Sequence, residues 1–527
     1  MGDLYLGLDS STQSLSAVVV DFSARRILKE ASLNFDQALP GYETRNGVLR
    51  GADPAVVHAP PLMWAEALDR MMALLKAEGV PLGDVRAISG SGQQHGSVYW
   101  NATFPAALAG LDPRRTLKDQ LRGCFSRDTA PVWMDSSTSA ECAEIQAELG
   151  GASALAEATG SAAFERFTGP QIRKFFKTEP AAYGATAGIS LVSSFMASLL
   201  LGRVAPIDHG DGAGMNLMDI RRLQWHDRAL NATAPGLAAK LPPVVPPWTP
   251  AGAISPYFVN KYGLHPQASV VVWSGDNPSS AIGTGLVEPG MVAISLGTSD
   301  TYFGTMAECR TDPRGEGHVF VSPAGGYMTL ICFKNGSLAR EQVKDAFGLD
   351  WSGFAAALAA TPPGNNGGIL LPWFDPEIVP RVLTPGVHRF NLASTDAPAN
   401  CRAVVEAQMM SMKLHSQWMG FPRSSIRATG GGAKSREILQ VMADVMGCPV
   451  YPFEVSKSAA LGAALRAVHA CHRMAGKPPA WGEVAGAFTQ VVAAEALRPA
   501  PGSAAVYEAM LPRYAECESR ALGTCRT

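Results

Sequence analysis

The chain has 527 residues, with 44 basic and 46 acidic side chains, 47% hydrophobic residues, 53 Gly and 38 Pro, too long for one ordinary core and suited to two large domains or three smaller ones. A net charge of −2 lacks the basic footprint of a nucleic-acid binder and offers no broad field toward an anionic membrane. Charged residues make up 17%, below the roughly 25% of ordinary globular proteins, which argues against long solvated arms or a disordered chain.

The chain opens with a strand pattern, LYLGL (4–8), a polar turn, DSSTQS (9–14), and a second strand pattern, LSAVVVDF (15–22). Two β-rich runs joined by a short hydroxyl-rich turn read as a hairpin. The opening residues show no basic region ahead of an apolar stretch, so no signal peptide is expected. Leu6 also breaks the myristoylation pattern.

Amphipathic segments at 63–79, 138–151 and 189–202 read as helices and alternate with the strand-like runs 85–92 and 269–275. The run 189–202 is the longest apolar stretch and is too short to span a bilayer. Residues 234–256 carry seven prolines and read as an extended connection.

At MVAISL (291–296), GTSD (297–300) and TYFG (301–304) the opening hairpin pattern returns. A weak repeat at this distance suggests that each hairpin starts its own domain. Beyond it come a helical run, 403–420, and a strand–glycine turn–helix unit over 425–447. Alternating strands and helices in both halves argue an α/β fold with layered sheets. The boundary is expected near 285, giving domains 1–285 and 286–527.

Nine cysteines (Cys124, Cys142, Cys309, Cys332, Cys401, Cys448, Cys471, Cys517 and Cys525) are widely spaced, with no C-x-x-C pair. They fit neither a disulfide scaffold nor a structural zinc site, and most read as buried small hydrophobes in a reducing, cytoplasmic setting.

Five stretches carry chemistry. The first turn places Asp9 at the end of a buried strand beside hydroxyls and amides suited to phosphate oxygens, where a lone carboxylate is better placed to hold Mg²⁺ than to bind phosphate. An ordinary β-turn would use the same residue types. The second turn, with Gly297, Thr298 and Ser299, repeats the donors without the acid. Gly430, Gly431 and Gly432 lie between a strand and a helix, where a backbone can approach a flat or anionic ligand closely. The spacing is not that of a P-loop, since Ala433 precedes Lys434 and Ala428 fills the earlier glycine position.

GQQHG holds Gln93, Gln94 and His95 at a strand end, where amide and imidazole groups could bond a polyhydroxylated ligand. His95 equally suits a structural role. Asp276 and Asn277 follow the strand at 269–275; a carboxylate there could accept a proton from a hydroxyl, and an Asx turn before Pro278 is the other reading.

DSSTQS, GQQHG, GDNPSS, SLGTSD and ATGGGAKSREILQ occur in the order seen in the FGGY carbohydrate kinases of the actin-like ATPase superfamily, which the chain resembles from about residue 4 to about 515. WMDSST, FERFTG and GDGAGMNL add to the likeness. The resemblance implies two actin-like ATPase domains with ribonuclease-H-like cores around a central cleft. It also implies ATP-dependent phosphorylation of D-xylulose at its 5-hydroxyl, with ATP and Mg²⁺ as cofactors and no nucleic-acid or membrane partner. A monomer or homodimer is expected.

By position, Asp276 resembles the family's catalytic base, and His95, Arg166 and Asn277 resemble its sugar ligands. Thr12, Gln13, Gly297, Thr298 and Ser299 match its phosphate loops, and Asp9 its acid near the metal. Gly431, Gly432 and Trp351 match its nucleotide contacts. Ser435 stands where the family usually carries Asn, which puts one adenine-side hydrogen bond in question. A sister kinase for ribulose, glycerol or a polyol, and a non-enzymatic actin-like nucleotide switch, are the alternatives.

Overall fold

The computed structural model describes residues 3–454 and 456–523; Cys525 lies outside them. The chain divides into two compact units: Met1–Val287 with Val319–Tyr327 and Val455–Gln490, and Glu288–His318 with Met328–Glu454 and Val491–Thr527. The first crossing, after Val287, falls close to residue 285. A single cut does not describe the division, however, because two later segments return to the first unit.

The first unit is built on strands β1 (Leu4–Ser10), β2 (Ser14–Asp21), β3 (Arg26–Asn34), β4 (Val85–Gly92), β5 (Ser269–Val271) and β6 (Ser274–Gly275). Their order is β5–β4–β1–β2–β3, with β6 also on β4. β1 runs antiparallel to β2 and parallel to β4, and β2 runs antiparallel to β3. Every residue of β1 is buried, as expected of a central strand covered on both faces.

The second unit repeats this plan with β7 (Met291–Leu296), β8 (Asp300–Met306), β9 (Tyr327–Phe333), β10 (Ser425–Thr429) and β11 (Val450–Pro452). They lie in the order β9–β8–β7–β10–β11, with β7 antiparallel to β8 and parallel to β10. This is the strand order of a ribonuclease-H-like core, occurring twice in the chain.

Six helices position the site: α1 (Asp276–Gly283), α2 (Ser337–Ala346), α3 (Trp351–Ala360), α4 (Ala397–His415), α5 (Arg436–Met446) and α6 (Ser458–Met474). Helix α6 explains the return of 455–490 to the first unit. Its residues Ala460, Leu461, Ala464, Leu465 and Val468 are buried in one apolar cluster with Tyr5, Val18 and Val20. Full burial of such a side chain is worth about 1.5–3 kcal/mol, so this face is stably held only where a sheet covers it.

The crossing of α6 with α1 is very close. A Cβ at Gly462 would lie 1.8 Å from the Ser279 carbonyl oxygen, and one at Gly283 would lie 1.9 Å from that of Ser458. The buried Arg466 of α6 donates to the carbonyls of Gly90, Pro247 and Val272 at 3.0–3.2 Å and faces Asp208 at 3.7 Å.

Local readings from the sequence shift in instructive ways. The first turn narrows to residues 11–13, because Asp9 and Ser10 stay paired with Ser16 and Leu15 in the β1–β2 ladder. The run 189–202 is only partly helical: Gly188–Leu191 pairs with Ser97–Trp100, and Val192–Leu201 forms a wholly buried helix rather than an amphipathic one. The run 269–275 breaks into β5 and β6. Of the described cysteines, Cys124, Cys142, Cys401 and Cys448 are buried, while Cys309, Cys332, Cys471 and Cys517 are half-buried. No helix among the described residues is long and apolar enough to cross a membrane.

Candidate active site

In the first unit, the ends of β1, β4 and β6 bring together Asp9, Thr12, His95, Asp276 and Asn277. Asp9 stands beside Ser91 in the parallel register, and the Ser91 hydroxyl donates to its Oδ1 at 2.6 Å. Burial pushes the Asp9 carboxyl up to about 7; the Ser91 hydrogen bond opposes this and the charge of Asp276 adds to it.

Asp276 is the first residue of α1, where the positive end of the helix dipole favours an anion. Its Oδ1 accepts from the Asn277 backbone N–H at 2.8 Å and from Asn277 Nδ2 at 3.2 Å. Burial raises its pKa to about 6, against backbone hydrogen bonds from Asn277 and Gln94. A carboxylate poised near neutrality is suited to general-base work.

His95 adopts a left-handed backbone with φ of 73°, uncommon for a residue with a Cβ. Thr168 Oγ1 donates to its carbonyl at 3.0 Å, and its Nδ1 lies 2.9 Å from the Gly214 carbonyl. A carbonyl only accepts, so Nδ1 carries the proton and Nε2 remains an acceptor. Burial lowers its pKa to about 3, with the Arg166 charge adding, so the ring is neutral. The Arg166 guanidinium lies over Phe164 at 5.3 Å and Phe167 at 5.6 Å, and the Phe167 ring lies 4.4 Å from the His95 ring, tilted by 36°. Thus a neutral acceptor and a cation stand side by side.

At the hairpin tip, Gln13 is exposed. The Thr12 hydroxyl is already engaged, donating to Gln93 Oε1 at 3.4 Å and accepting from Trp133 Nε1 at 2.8 Å. The Thr12 side chain is therefore tied into the surrounding protein.

The second unit holds a cavity of about 780 Å³, within the usual size of a ligand site. Gly297, Thr298, Trp351, Gly431, Gly432 and Ser435 line it, brought together from three separate stretches of the sequence. Ser299 is half-buried in the same three-residue turn. Two of the three glycines have a steric cause: Gly430 has φ of 85° and a Cβ there would lie 2.6 Å from the Leu296 carbonyl oxygen, while one at Gly432 would lie 2.8 Å from Leu296 Cβ. Trp351 is 48% exposed at the start of α3, where Asp350 caps the helix by accepting from Gly353 N at 2.7 Å. Its indole offers a flat face to a planar base. Ser435 caps α5 by accepting from Ile438 N at 3.3 Å and donates to Glu437 at 3.0 Å. Asp300, one residue past the turn, is buried and held by Arg340 at 2.9 and 3.2 Å, so the turn itself bears no free acid.

Residues 128–283 match the N-terminal domain of the FGGY family of carbohydrate kinases, and residues 292–471 match its C-terminal domain. Xylulose kinase of Rattus norvegicus is 45% identical over 537 aligned positions, covering 99% of this chain and 97% of the relative. The chain belongs to the FGGY family of carbohydrate kinases. Xylulose kinase 2 of Arabidopsis thaliana is 45% identical, covering 88% of this chain and 87% of its own. The fold is that of the FGGY sugar kinases: the crystal structure of xylulose kinase from Rhodospirillum rubrum superposes with a TM-score of 0.81 at 20% identity, covering 99% of each chain.

Several residues of this FGGY site carry no role in the sequence reading. Ser91 becomes visible only once the parallel register sets it beside Asp9. Trp133 and Gly214 lie within the WMDSST and GDGAGMNL strings, but they are distant in sequence from the residues they support, and only the fold shows that Trp133 bonds Thr12 and that the Gly214 carbonyl bonds His95. The Asp300–Arg340 pair has a signal in the SLGTSD motif, but only burial shows the acid turned into an ion pair.

Proposed function

We propose that this kinase transfers the γ-phosphoryl group of ATP to the 5-hydroxyl of D-xylulose, giving D-xylulose 5-phosphate and ADP. The observation that carries the reading is the grouping of Asp276 with neutral His95, cationic Arg166 and Asn277 in the first unit. It combines a base with donors and acceptors for a neutral polyol. The xylulose kinases at 45% identity support the choice of sugar.

Phosphoryl transfer asks a protein mainly for positioning and charge stabilisation. Asp276 accepts the proton of the attacking hydroxyl. His95 Nε2 accepts from a sugar hydroxyl, Arg166 donates to another oxygen, and Asn277 orients the sugar beside the base. In the second unit, Trp351 and the glycine turn at Gly431 and Gly432 take the adenosine, with Ser435 beside them. Gly297, Thr298 and Ser299, and in the first unit Thr12 and Gln13, offer donors to phosphate oxygens.

Among the described residues, no group of three or more His, Cys, Asp or Glu could cage a metal. A single carboxylate, Asp9, with one oxygen held by Ser91, fits Mg²⁺ carried largely by water and phosphate. Mg²⁺ bound there would neutralise charge on the phosphate oxygens. We place the enzyme in the cytoplasm, where free cysteines persist, as a monomer or homodimer.

The test is ADP release with D-xylulose, D-ribulose, glycerol and other polyols at saturating MgATP. D-xylulose is expected to give the highest kcat/KM. A higher value for another sugar would move the reading to a sister kinase, and no stimulation by any sugar would end it.

A further inference from the structure

Gln94 is 2% exposed, and its backbone hydrogen-bonds the Asp276 carboxylate. Its Oε1 accepts from Asn277 Nδ2 at 2.7 Å, and the same Nδ2 donates to Asp276 Oδ1 at 3.2 Å. Asn277 thus spends both amide hydrogens, one on Gln94 and one on Asp276. This fixes which way its amide faces. With the Gln94 acceptor gone, the Asn277 amide could turn over and set its carbonyl oxygen against the Asp276 carboxylate.

The packing is equally specific. A Cβ at position 275 would lie 2.3 Å from Gln94 Cγ and 2.8 Å from Nε2, so glycine just before Asp276 leaves room for this side chain. Gln94 Nε2 is buried, and its side chain lies within reach of the Asp211 carboxyl. A Cβ at Gly214, whose carbonyl holds His95, would lie 3.3 Å from the same nitrogen. Gln94 therefore touches the supports of both Asp276 and His95.

We propose that Gln94 is a positioning residue for phosphoryl transfer, holding the Asn277 amide and through it the Asp276 carboxylate; this rests on Asp276 being the base. The test is a double-mutant cycle on kcat with Gln94→Met, nearly equal in length without the amide, and Asn277→Ala. Gln94→Met alone is expected to lower kcat about 10–100-fold, the scale of a misplaced reacting group, with ADP affinity unchanged. In the Asn277→Ala background the same substitution is expected to change kcat less than about twofold, since its route of action is gone. Equal losses in both backgrounds, or near-full kcat for Gln94→Met, would overturn the proposal.

Should Gln94→Met not fold, Gln94→Glu keeps an acceptor for Asn277 Nδ2 and is put through the same cycle: its loss of kcat is expected to shrink to less than about twofold in the Asn277→Ala background, and an equal loss in both backgrounds overturns the proposal. Asp276→Asn measured alongside separates the two failures. Near-full kcat there ends the base reading itself, whereas an inactive Asp276→Asn with an additive cycle ends only the role of Gln94.

Discussion

Counted outward from the three-residue turns 11–13 and 297–299, Asp9 of β1 corresponds to Ser295 of β7, and Ser14 of β2 to Asp300 of β8. The parallel neighbours extend the match, since Ser91 pairs with Asp9 and Thr429 with Ser295. Beyond those strands, Gln93, Gln94 and His95 correspond to Gly431, Gly432 and Ala433. The same strand ends thus carry a carboxylate and three hydrogen-bonding side chains in one unit, and nearly bare backbone in the other. The strand order decides where a ligand can be met, and the substituents at its ends decide which one. A sugar is read by side chains that match its hydroxyls, while adenosine phosphate needs close main-chain approach and an aromatic face.

The contrast can be broken from either side. Asp300→Ala would strand Arg340, itself 1% exposed, as a buried cation that keeps its hydrogen bond to the neutral Gln408 amide oxygen but loses its carboxylate partner. The expected loss is about 3–5 kcal/mol of stability, read as a lower Tm; an unchanged Tm would show that the pair contributes nothing there. His95→Ala should raise KM for the sugar by about 5–150-fold, the scale of about 1–3 kcal/mol for polar groups left unpaired, with KM for ATP unchanged. An unmoved sugar KM would return His95 to a purely structural role. Ser435→Ala removes the α5 cap and should cost about 1 kcal/mol in chemical denaturation. Because the Ser435 hydroxyl already serves Ile438 and Glu437, its effect on ATP affinity should be small, and a large loss would assign it a direct nucleotide contact.

Protonation sharpens the same comparison. Only an ionised Asp276 can accept a proton, so kcat should fall as pH drops through about 6. ADP affinity, which we propose rests on the second unit, should not follow that limb. A parallel fall in both would link the limb to some other group.

Much of this was legible in the sequence because it is local. Alternation over 4–22 and 291–304 gives both hairpins, and the strand–glycine–helix pattern at 425–447 gives β10, the turn and α5. The glycines, His95, Asp276 and Trp351 sit in recognisable strings. What was hidden depends on register or on distant packing. Whether Asp9 belongs to a turn or a strand follows from its pairing with Ser16, and the engagement of the Thr12 hydroxyl follows from Trp133, 121 residues away. The return of α6 to the first sheet depends on an apolar face that any nearby sheet could have covered.

The most direct measurement is single-turnover transfer from MgATP to D-xylulose by Asp276→Asn, with ADP affinity determined on the same preparation. Transfer is expected to slow by about 10²–10⁴-fold, the range for losing a general base, while ADP affinity stays within about twofold. Transfer at near the native rate would contradict it.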